Sequence, residues 1–551
     1  MILFLHGQTR RQSKTKFISA LGCIAVLASL IVFTVSGFCQ SPNFSSPPSP
    51  TTATWKGGPG NWFPNGGRSP SPSNWSCPSS NPCGPPNNGS PHNSTWNAII
   101  GGPSATGTVT LNSGGAEVNN LTIGDGSAGT LNVSGSNGLT VDQSLYVGET
   151  SGGTGTLSIS SDRFGLGGTV NSGSAIIGDG AESNGVVTVT GASAQWNITS
   201  SRSDPGNLTV GNIGTGSLTV SGGGQVSASG MLVVGENANG TLAITSSGGR
   251  FAPNSTVSSA NGVIGDKSGS TASSVTLMGS GSQWNISGGR HSDGSLEVGN
   301  GGTGSLTINA GTQVSDTTAC IGCYDGTGSV IVNGNGNANS AEWSTSQSLS
   351  VGVNGTGSLT IENGGLVYVG TPAEGRPGHF GYEPATVGTI TIGAKGTVIL
   401  DGATVDSNVV NEYGGILDPL ASTISGSYTG ESGSSLIFYV SGPGSYDQID
   451  LPGGATFAAG SIIDIVFENY TPTPGETFDF ITGSGGITNN GVTIDINGVA
   501  CTGCSEGLGT GGSLFVGVPE PGTWVLLVTA LIAMAVFAVR KRRAALPDLA
   551  L

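Results

Sequence analysis

Six cysteines lie in three close pairs that could form disulfides or bind a metal. The pairs are Cys77 with Cys83, Cys320 with Cys323, and Cys501 with Cys504. If the chain is exported, an even set of cysteines favours local disulfides. Two C-x-x-C pairs could instead supply four thiolates to a tetrahedral metal ion. Those two pairs are 178 residues apart, from Cys323 to Cys501. We therefore predict local disulfides and no metal site, with the shared metal site as the alternative.

Side-chain oxygens follow a series of regularly spaced glycines, and we call this series the oxygen column. Its members are Asp125, Glu149, Asp179, Asn212, Glu236, Asp266 and Asn300. If the spacing stacks these residues, their oxygens could bind Ca²⁺, which takes several oxygen ligands. The alternative is a ladder of turn-capping side chains and solvated charge, because Asx residues bond to turn backbone. We favour the ladder and predict no cofactor.

Catalytic patterns are scarce in the chain. The four histidines, His6, His92, His291 and His379, have no paired or repeated setting. No nucleophile motif, phosphate loop or zinc-binding helix is found. Asp447 and Asp450 are three residues apart and are the best acid pair. We predict a protein that is not an enzyme. The alternative is a β-helix polysaccharide lyase or hydrolase, for which this pair would be tested first.

A tandem repeat organises the positions of these residues. Its anchors are the glycines that close a short apolar run: Gly124, Gly148, Gly178, Gly211, Gly235, Gly265, Gly299, Gly322 and Gly352. A larger period joins every third anchor, since Gly124 and Gly211 are 87 residues apart. The segment from Gln195 to Ile198 recurs from Gln283 to Ile286. Direct repeats of this length are typical of solenoids.

Each repeat unit has the pattern of short β-strands. In the segment Leu208 to Val220, apolar and hydroxyl residues alternate around a Gly-rich turn. This alternation predicts strands with one buried face. One unit is too small to bury its own apolar face, so neighbouring units must stack on one another. The sequence therefore predicts an all-β fold, a parallel β-helix or β-solenoid over residues 98–400.

The first 97 residues divide into two segments. Residues 1–40 have a basic start, an apolar run and small residues near Val35, which together predict a secretory signal peptide. Residues 41–97 are rich in Trp, Pro and Cys. Their tryptophans could stack on sugar rings, or they could cover the open apolar end of the solenoid. We favour an N-terminal cap.

The repeats resemble those of a known class of surface proteins. The pattern Trp-Asn, a variable turn, then Leu-x-Val-Gly-x-x-Gly-Thr-Gly-Ser-Leu-Thr-Val is similar to autotransporter passenger repeats. This resemblance implies a right-handed parallel β-helix that is exposed outside the cell. The segment from Tyr446 to Phe480 is similar to the closing rungs of the same passengers. We therefore expect residues 401–517 to form a β-rich C-terminal cap.

The C-terminal stretch resembles a sorting signal. Its residues are Val518, Pro519, Glu520 and Pro521, an apolar run, and then Arg540, Lys541, Arg542 and Arg543. The run is long enough for one transmembrane helix with a basic stop on the cytoplasmic side. Residues 518–543 closely resemble the PEP-CTERM signal of Gram-negative bacteria. The resemblance implies recognition by an exosortase-type enzyme and cleavage near Pro519–Pro521. Residues 544–551 would form a cytoplasmic tail.

Charge narrows the set of partners. The chain has 17 Lys and Arg against 33 Asp and Glu, for a net charge of −16. This balance disfavours nucleic acid and anionic lipid. We expect an exported, non-enzymatic rod that is structural or adhesive, at the cell surface, the outer membrane or outside the cell. Its expected partners are extracellular polysaccharide or a neighbouring cell, in the exopolysaccharide and biofilm-matrix context that the sorting signal implies.

Overall fold

A computed structural model describes most of the chain between residues 50 and 517. The described ranges are 50–63, 74–77, 84–88, 95–111, 114–199, 205–247, 253–289, 293–336, 340–371, 386–473, 476–501, 505–508 and 514–517. All of them belong to one compact unit, Ser49–Leu551. The predicted signal peptide and the C-terminal sorting signal with its helix lie outside the described residues. Within the described ranges, no helix is long and apolar enough to cross a membrane.

Alternating burial explains why the repeat segments form strands. In Thr215–Ser221, the inward residues Gly216, Leu218 and Val220 are buried, and the residues between them face outward. Each such strand pairs in parallel with the equivalent strand of the next coil, as Leu218 pairs with Leu242. The described strands make three parallel ladders in this way, which we number by their order within one coil.

The first ladder contains the Thr-Gly-x-Leu strands and their equivalents. Its strands are Gly58–Asn61, Gly107–Leu111, Ala128–Ser134, Thr154–Ser160, Asn184–Thr190, Thr215–Ser221, Gly240–Thr245, Ser273–Met278, Thr303–Asn309, Thr327–Asn333, Thr356–Glu362, Gly396–Asp401, Ile416–Leu420, Ser435–Gly442, Ile462–Phe467 and Thr493–Ile496.

The second and third ladders follow in each coil and share their longest strands. Strands of the second ladder alone are Gly115–Val118, Gln195–Ile198, Gln225–Ala228, Thr256–Ser259, Gln283–Ile286, Leu366–Thr371, Thr404–Asp406, Ser422–Ile424, Ile449–Asp450 and Thr477–Thr482. Strands of the third ladder alone are Thr51–Trp55, Trp96–Ile100, Asn120–Ile123, Leu208–Val210, Met231–Val234, Asn261–Ile264, Ser295–Val298, Thr389–Ile392, Asn408–Asn411, Tyr428–Gly430, Ala455–Phe457 and Ile487–Asn489. Strands that bend from the second ladder into the third are Gly138–Val147, Thr169–Ile177, Gln313–Ile321 and Glu342–Val351.

Short antiparallel strands accompany the ladders, mostly near the two ends. They are Trp75–Ser76, Thr386–Val387, Ser445–Tyr446, Val499–Ala500, Ser505–Leu508 and Leu514–Gly517. Trp75–Ser76 pairs with the strand Thr51–Trp55 at the N-terminal end. Leu514–Gly517 pairs with Thr477–Thr482 at the C-terminal end. Antiparallel partners of this kind occupy edges that would otherwise pair with another chain.

Stacked aliphatic side chains fill the interior of the coils. Leu131, Leu157, Val187 and Leu218 are in register along the first ladder, and all four are fully buried. One coil contributes too few of these residues for a core, so stability comes from the stack. The all-β parallel solenoid predicted from the repeat is confirmed by this pairing, while the hand of the coil stays a prediction.

The backbone conformation at the anchor positions and the lack of room for a side chain both require glycine. Gly211 has a φ of +81°, and a Cβ built on it would lie 2.5 Å from the Asn239 carbonyl oxygen. An L-residue is strained at this φ, and the close backbone of the next coil leaves no room for a side chain. The glycine therefore allows neighbouring coils to approach at the turn after the third ladder.

The ladders continue beyond the region of sequence repeat. Residues 401–496 keep the three-strand coil although the Gly-Thr-Gly pattern is lost. Their core uses aromatic rings in place of many aliphatic side chains, including Phe438 stacked on Phe480 at 4.8 Å. Backbone pairing is thus maintained while the residues that fill the coil change.

Candidate functional site

Three of the four tryptophans near the N-terminus are buried, and the fourth, Trp96, is half-buried. Trp75 lies 5.1 Å from Trp55 and 4.9 Å from Trp62 between ring centroids, and all three rings are almost fully buried. The Trp62 indole donates to the Pro86 carbonyl at 3.1 Å. These three buried rings offer no open face to a sugar.

One of the three predicted cysteine pairs lies fully within the described residues, and the other two lie there in part. Cys320 and Cys323 form a disulfide with Cα atoms 5.8 Å apart. Cys77 and Cys501 each take part in a disulfide of their own. Their predicted partners, Cys83 and Cys504, lie outside the described residues. The part of the chain that is described also excludes the predicted sorting residues and all four histidines. The sorting residues are Val518, Pro519, Glu520, Pro521 and Arg540–Arg543.

The oxygen column is a stacked row. Its backbone N–H groups donate to the anchor region of the preceding coil, as Asp179 does to the Gly148 carbonyl at 2.8 Å. The Asn212 amide donates to the Asp179 carboxylate at 2.6 Å, and the Asn300 amide donates to Asp266 at 2.8 Å. Amide donors therefore pair with two of the carboxylates, as in a ladder of polar side chains.

Other carboxylates of the column use different partners. Lys267 pairs with Glu236 at 2.5 Å, and the Thr122 hydroxyl donates to Glu149 at 2.6 Å. Among the described residues, no group of three or more His, Cys, Asp or Glu side chains is arranged to hold a metal ion. The Ca²⁺ alternative gains no support from this geometry.

Asp447 and Asp450 are held in separate settings. The Asp447 carboxylate accepts the Tyr439 N–H at 2.7 Å. Burial raises its pKa to about 7, the Tyr439 hydrogen bond opposes this, and nearby Asp418 adds to it. Asp450 lies on the second ladder, is exposed, and accepts the Thr482 hydroxyl at 3.4 Å. The two carboxylates therefore accept hydrogen bonds from different neighbouring residues.

A cavity on the outer side of the third ladder is a candidate site among the described residues. It measures about 390 Å³ and lies near the N-terminal end of the ladder. We call it the N-terminal groove. The residues that line it are Thr52, Asn97, Ala98, Ile99, Asn120, Thr122, Asp125, Tyr146, Glu149 and Thr150. This volume lies in the range of small-molecule sites.

Strand register sets the outward-facing residues of the groove. Thr122 pairs with Tyr146 across neighbouring strands, and Asn97 pairs with Asn120. Residues at these positions point away from the core because inward and outward side chains alternate along a strand. The groove therefore combines one aromatic ring with amide, hydroxyl and carboxylate groups.

Hydrogen bonds orient the amides of the groove. The Asn97 side-chain oxygen accepts from the Asn119 amide at 3.3 Å and from the Asn120 amide at 3.2 Å. The Asn120 oxygen accepts the Ser144 N–H at 3.1 Å. Because these bonds fix the amide planes, the polar surface is ordered before any ligand arrives.

The carboxylates make the groove negative. Burial is the main cause that raises the pKa of Glu149, the Thr122 hydrogen bond opposes it, and Asp125 and Asp179 raise it further. These causes place Asp125 and Asp179 near Glu149. No residue that lines the groove carries a positive charge. The site is therefore suited to a ligand with donors or positive charge.

Sequence reasoning found the acids of this groove and missed its other residues. Asp125 and Glu149 belong to the predicted oxygen column, but Tyr146, Asn97 and Asn120 were not singled out. The sequence does contain a feature that could have identified Tyr146. Tyr146 takes the middle position of Leu-x-Val, which is Thr122 one coil earlier and Thr209 two coils later. A tyrosine at that outward position marks a local change of surface.

Comparison with known proteins adds little. No family model matches the chain, and no curated protein matches it. Among solved structures, the chain is similar to a crystal structure of a TibA fragment that is hyper-glycosylated by TibC. The alignment covers 70% of this chain and 97% of that one, with 14% identity and a TM-score of 0.26. At this identity and score, the likeness decides neither fold nor function.

Proposed function

We propose that the chain is an exported, non-enzymatic rod of the cell surface or extracellular matrix, with a structural or adhesive role among polysaccharides. One observation carries the proposal: the continuous stack of coils. The first ladder pairs in parallel from Gly58–Asn61 to Thr493–Ile496. Neighbouring strands lie about 4.8 Å apart, so this ladder spans roughly 70 Å. Such a stack displays repeated Thr, Ser and Asn side chains over a long surface.

The sequence supplies the export part of the proposal. A basic and apolar start, a Pro519-Glu520-Pro521 segment, an apolar run and a basic end fit secretion followed by sorting. An exosortase-type enzyme would be the processing partner, and the apolar run would anchor the chain in the membrane before cleavage. The proposed location is the surface, the outer membrane or the extracellular matrix.

The intact mass of the protein from the surface fraction of its host tests the sorting step. We expect a mass that corresponds to a C-terminus near Pro519–Pro521. A mass that includes Arg540 and the residues after it would overturn sorting by cleavage. The protein would then be a rod with a membrane anchor, and the link to a polysaccharide matrix would lose its main support.

Binding without turnover tests the adhesive role. The full-length protein should sediment with the insoluble polysaccharide of its host and release no soluble sugar. The alternative, a polysaccharide lyase or hydrolase, predicts product release. One observation makes it worth testing, because a buried Asp447 with a pKa of about 7 is in the range of acid catalysts. Loss of product release in Asp447→Asn, with binding retained, would favour the enzyme.

A further inference from the structure

The N-terminal groove has negative charge that its own lining does not balance. Asp125 and Glu149 both line it, and Asp179 lies near Glu149. Half-buried carboxylates are costly when no partner compensates them. Glu149 has the Thr122 hydroxyl and Asp179 has the Asn212 amide, but these neutral donors do not cancel the charge. Farther along the oxygen column, by contrast, Glu236 has the cationic Lys267. The unbalanced charge coincides with the described cavity, which suggests a cationic ligand.

The lining argues for an organic cation rather than a metal ion. No described group of acids, histidines or cysteines is arranged for a metal. Tyr146 instead offers an aromatic ring, and Asn97, Asn120 and Thr122 offer amide and hydroxyl groups. Aromatic rings pack on apolar faces and attract cations. Ordered amides suit a ligand with several hydroxyl groups, which a basic peptide lacks.

We propose that the N-terminal groove binds an amino-sugar unit of a glycan through its protonated primary amine. Asp125 and Glu149 pair with the ammonium group, and Tyr146 packs on the apolar face of the sugar ring. The amides of Asn97 and Asn120 bond to its hydroxyl groups. This inference rests on the proposed function for glycan contact, and it goes further by naming the class of sugar and the site.

Titration with two matched oligosaccharides tests the inference. The full-length protein is titrated in a calorimeter at pH 6 and low salt with a β-1,4-linked glucosamine hexamer and with its fully N-acetylated form. Acetylation removes the positive charge and leaves the sugar backbone. Charge-assisted hydrogen bonds are about twice as strong as neutral ones, so we expect the glucosamine hexamer to bind about tenfold tighter or more.

Variants assign the affinity to the groove. Glu149→Gln and Asp125→Asn should each weaken binding of the glucosamine hexamer by about tenfold and leave binding of the acetylated hexamer unchanged. Tyr146→Thr, which copies Thr122 of the preceding coil, should weaken both. Glu342→Gln removes a charge from the second ladder, outside the groove, and should change neither. Circular dichroism checks that each variant retains its strands.

Several outcomes would overturn the inference. Equal affinity for the two hexamers would do so, as would full binding of the glucosamine hexamer by both acid variants. Oligolysine that binds as tightly as the glucosamine hexamer, with the same loss in both acid variants, would identify a basic-peptide site instead. Should Glu149→Gln lose its fold, Asp125→Asn decides the result.

The proposed function and this inference can fail separately. If the unaltered protein sediments with host polysaccharide and Glu149→Gln sediments equally well, while the hexamers show no selectivity, the groove assignment fails and the adhesive role remains. If the unaltered protein does not sediment at all, the adhesive role fails. The hexamer titration then decides by itself whether the groove binds amino sugars.

Discussion

The first two blocks of the 87-residue period bury a tryptophan in a different way from the third. In the first block, the Trp196 indole donates to the Ser172 hydroxyl at 3.2 Å. In the second block, Trp284 donates to the Ser259 hydroxyl, also at 3.2 Å. Both rings are fully buried. A neutral hydroxyl of the neighbouring coil therefore satisfies the indole N–H inside the core.

In the third block, a carboxylate takes the place of that hydroxyl. The Trp343 indole donates to Asp316 Oδ2 at 2.6 Å. Asp316 is in register with Thr345 of the next coil. Even so, Asp316 Oδ1 and Thr345 Oγ1 are buried without a hydrogen-bond partner. Burial raises the Asp316 pKa to about 7, while the Trp343 hydrogen bond and the nearby Thr345 oppose the shift.

The comparison shows that each buried tryptophan has a hydrogen-bond acceptor for its indole N–H. Either a hydroxyl or a carboxylate can be this acceptor. A serine hydroxyl fulfils this role at any pH. An aspartate fulfils it with an ionisable group, and a buried charge is unfavourable unless it is fully paired. The third block should therefore differ from the others in how its stability depends on pH.

Removal of a buried tryptophan ring should have the largest effect on stability in both blocks. Trp284→Ala and Trp343→Ala should each lower the free energy of unfolding by about 3–5 kcal/mol, because each leaves a large cavity. Urea unfolding followed by circular dichroism measures the loss.

The two variants should differ in how their loss of stability depends on pH. Trp343→Ala also removes the donor to Asp316, so its loss should be larger at pH 8 than at pH 5. Equal losses at both pH values would contradict the assigned role of Asp316.

Exchange of the acceptors should have the next largest effect. The native Asp316 holds its proton up to about pH 7, whereas the unfolded chain releases it near 3.8. Between these values the native state binds more protons, so the free energy of unfolding falls as pH rises. The fall is at most about 4 kcal/mol and is complete above pH 7. Asp316→Asn should remove this fall, as measured by urea unfolding from pH 4 to pH 8.

The reciprocal variant is the control. Ser259→Asp places a carboxylate beside Trp284, and it should be near wild-type stability at pH 4 and less stable at pH 8. If Ser259→Asp is equally destabilised at both pH values, size rather than charge governs the site. If Asp316→Asn keeps the wild-type slope, another group causes it.

The sequence predicts the coil far better than it predicts these acceptors. The recurrence of Gln195–Ile198 as Gln283–Ile286, 88 residues later, indicates that Trp196 and Trp284 are equivalent. The anchor Gly211 and the Leu-x-Val pattern give the strands, because alternation and positive φ are local properties. The partner of an indole N–H depends on which residue of another coil lies beside it, and the loop lengths between coils vary.

The groove shows the same limit. Asp125 and Glu149 were found because they follow anchor glycines, which is a regular pattern. Asn97 belongs to a coil before the first anchor, so no repeat position marked it. Its place beside Asn120 follows only from the strand register. A site made of residues from several coils is therefore visible once the register is known.

The smallest expected effects lie in the oxygen column, where the first two blocks match. Asn212 donates to Asp179 in the first block, and Asn300 donates to Asp266 in the second. Asn212→Ala and Asn300→Ala should each lower the free energy of unfolding by about 1 kcal/mol, the usual value of one such hydrogen bond. The double variant should lose the sum, because sites more than about 10 Å apart act independently. A double variant that loses much more than the sum, measured by urea unfolding, would show that the column is a coupled unit rather than a series of separate pairs.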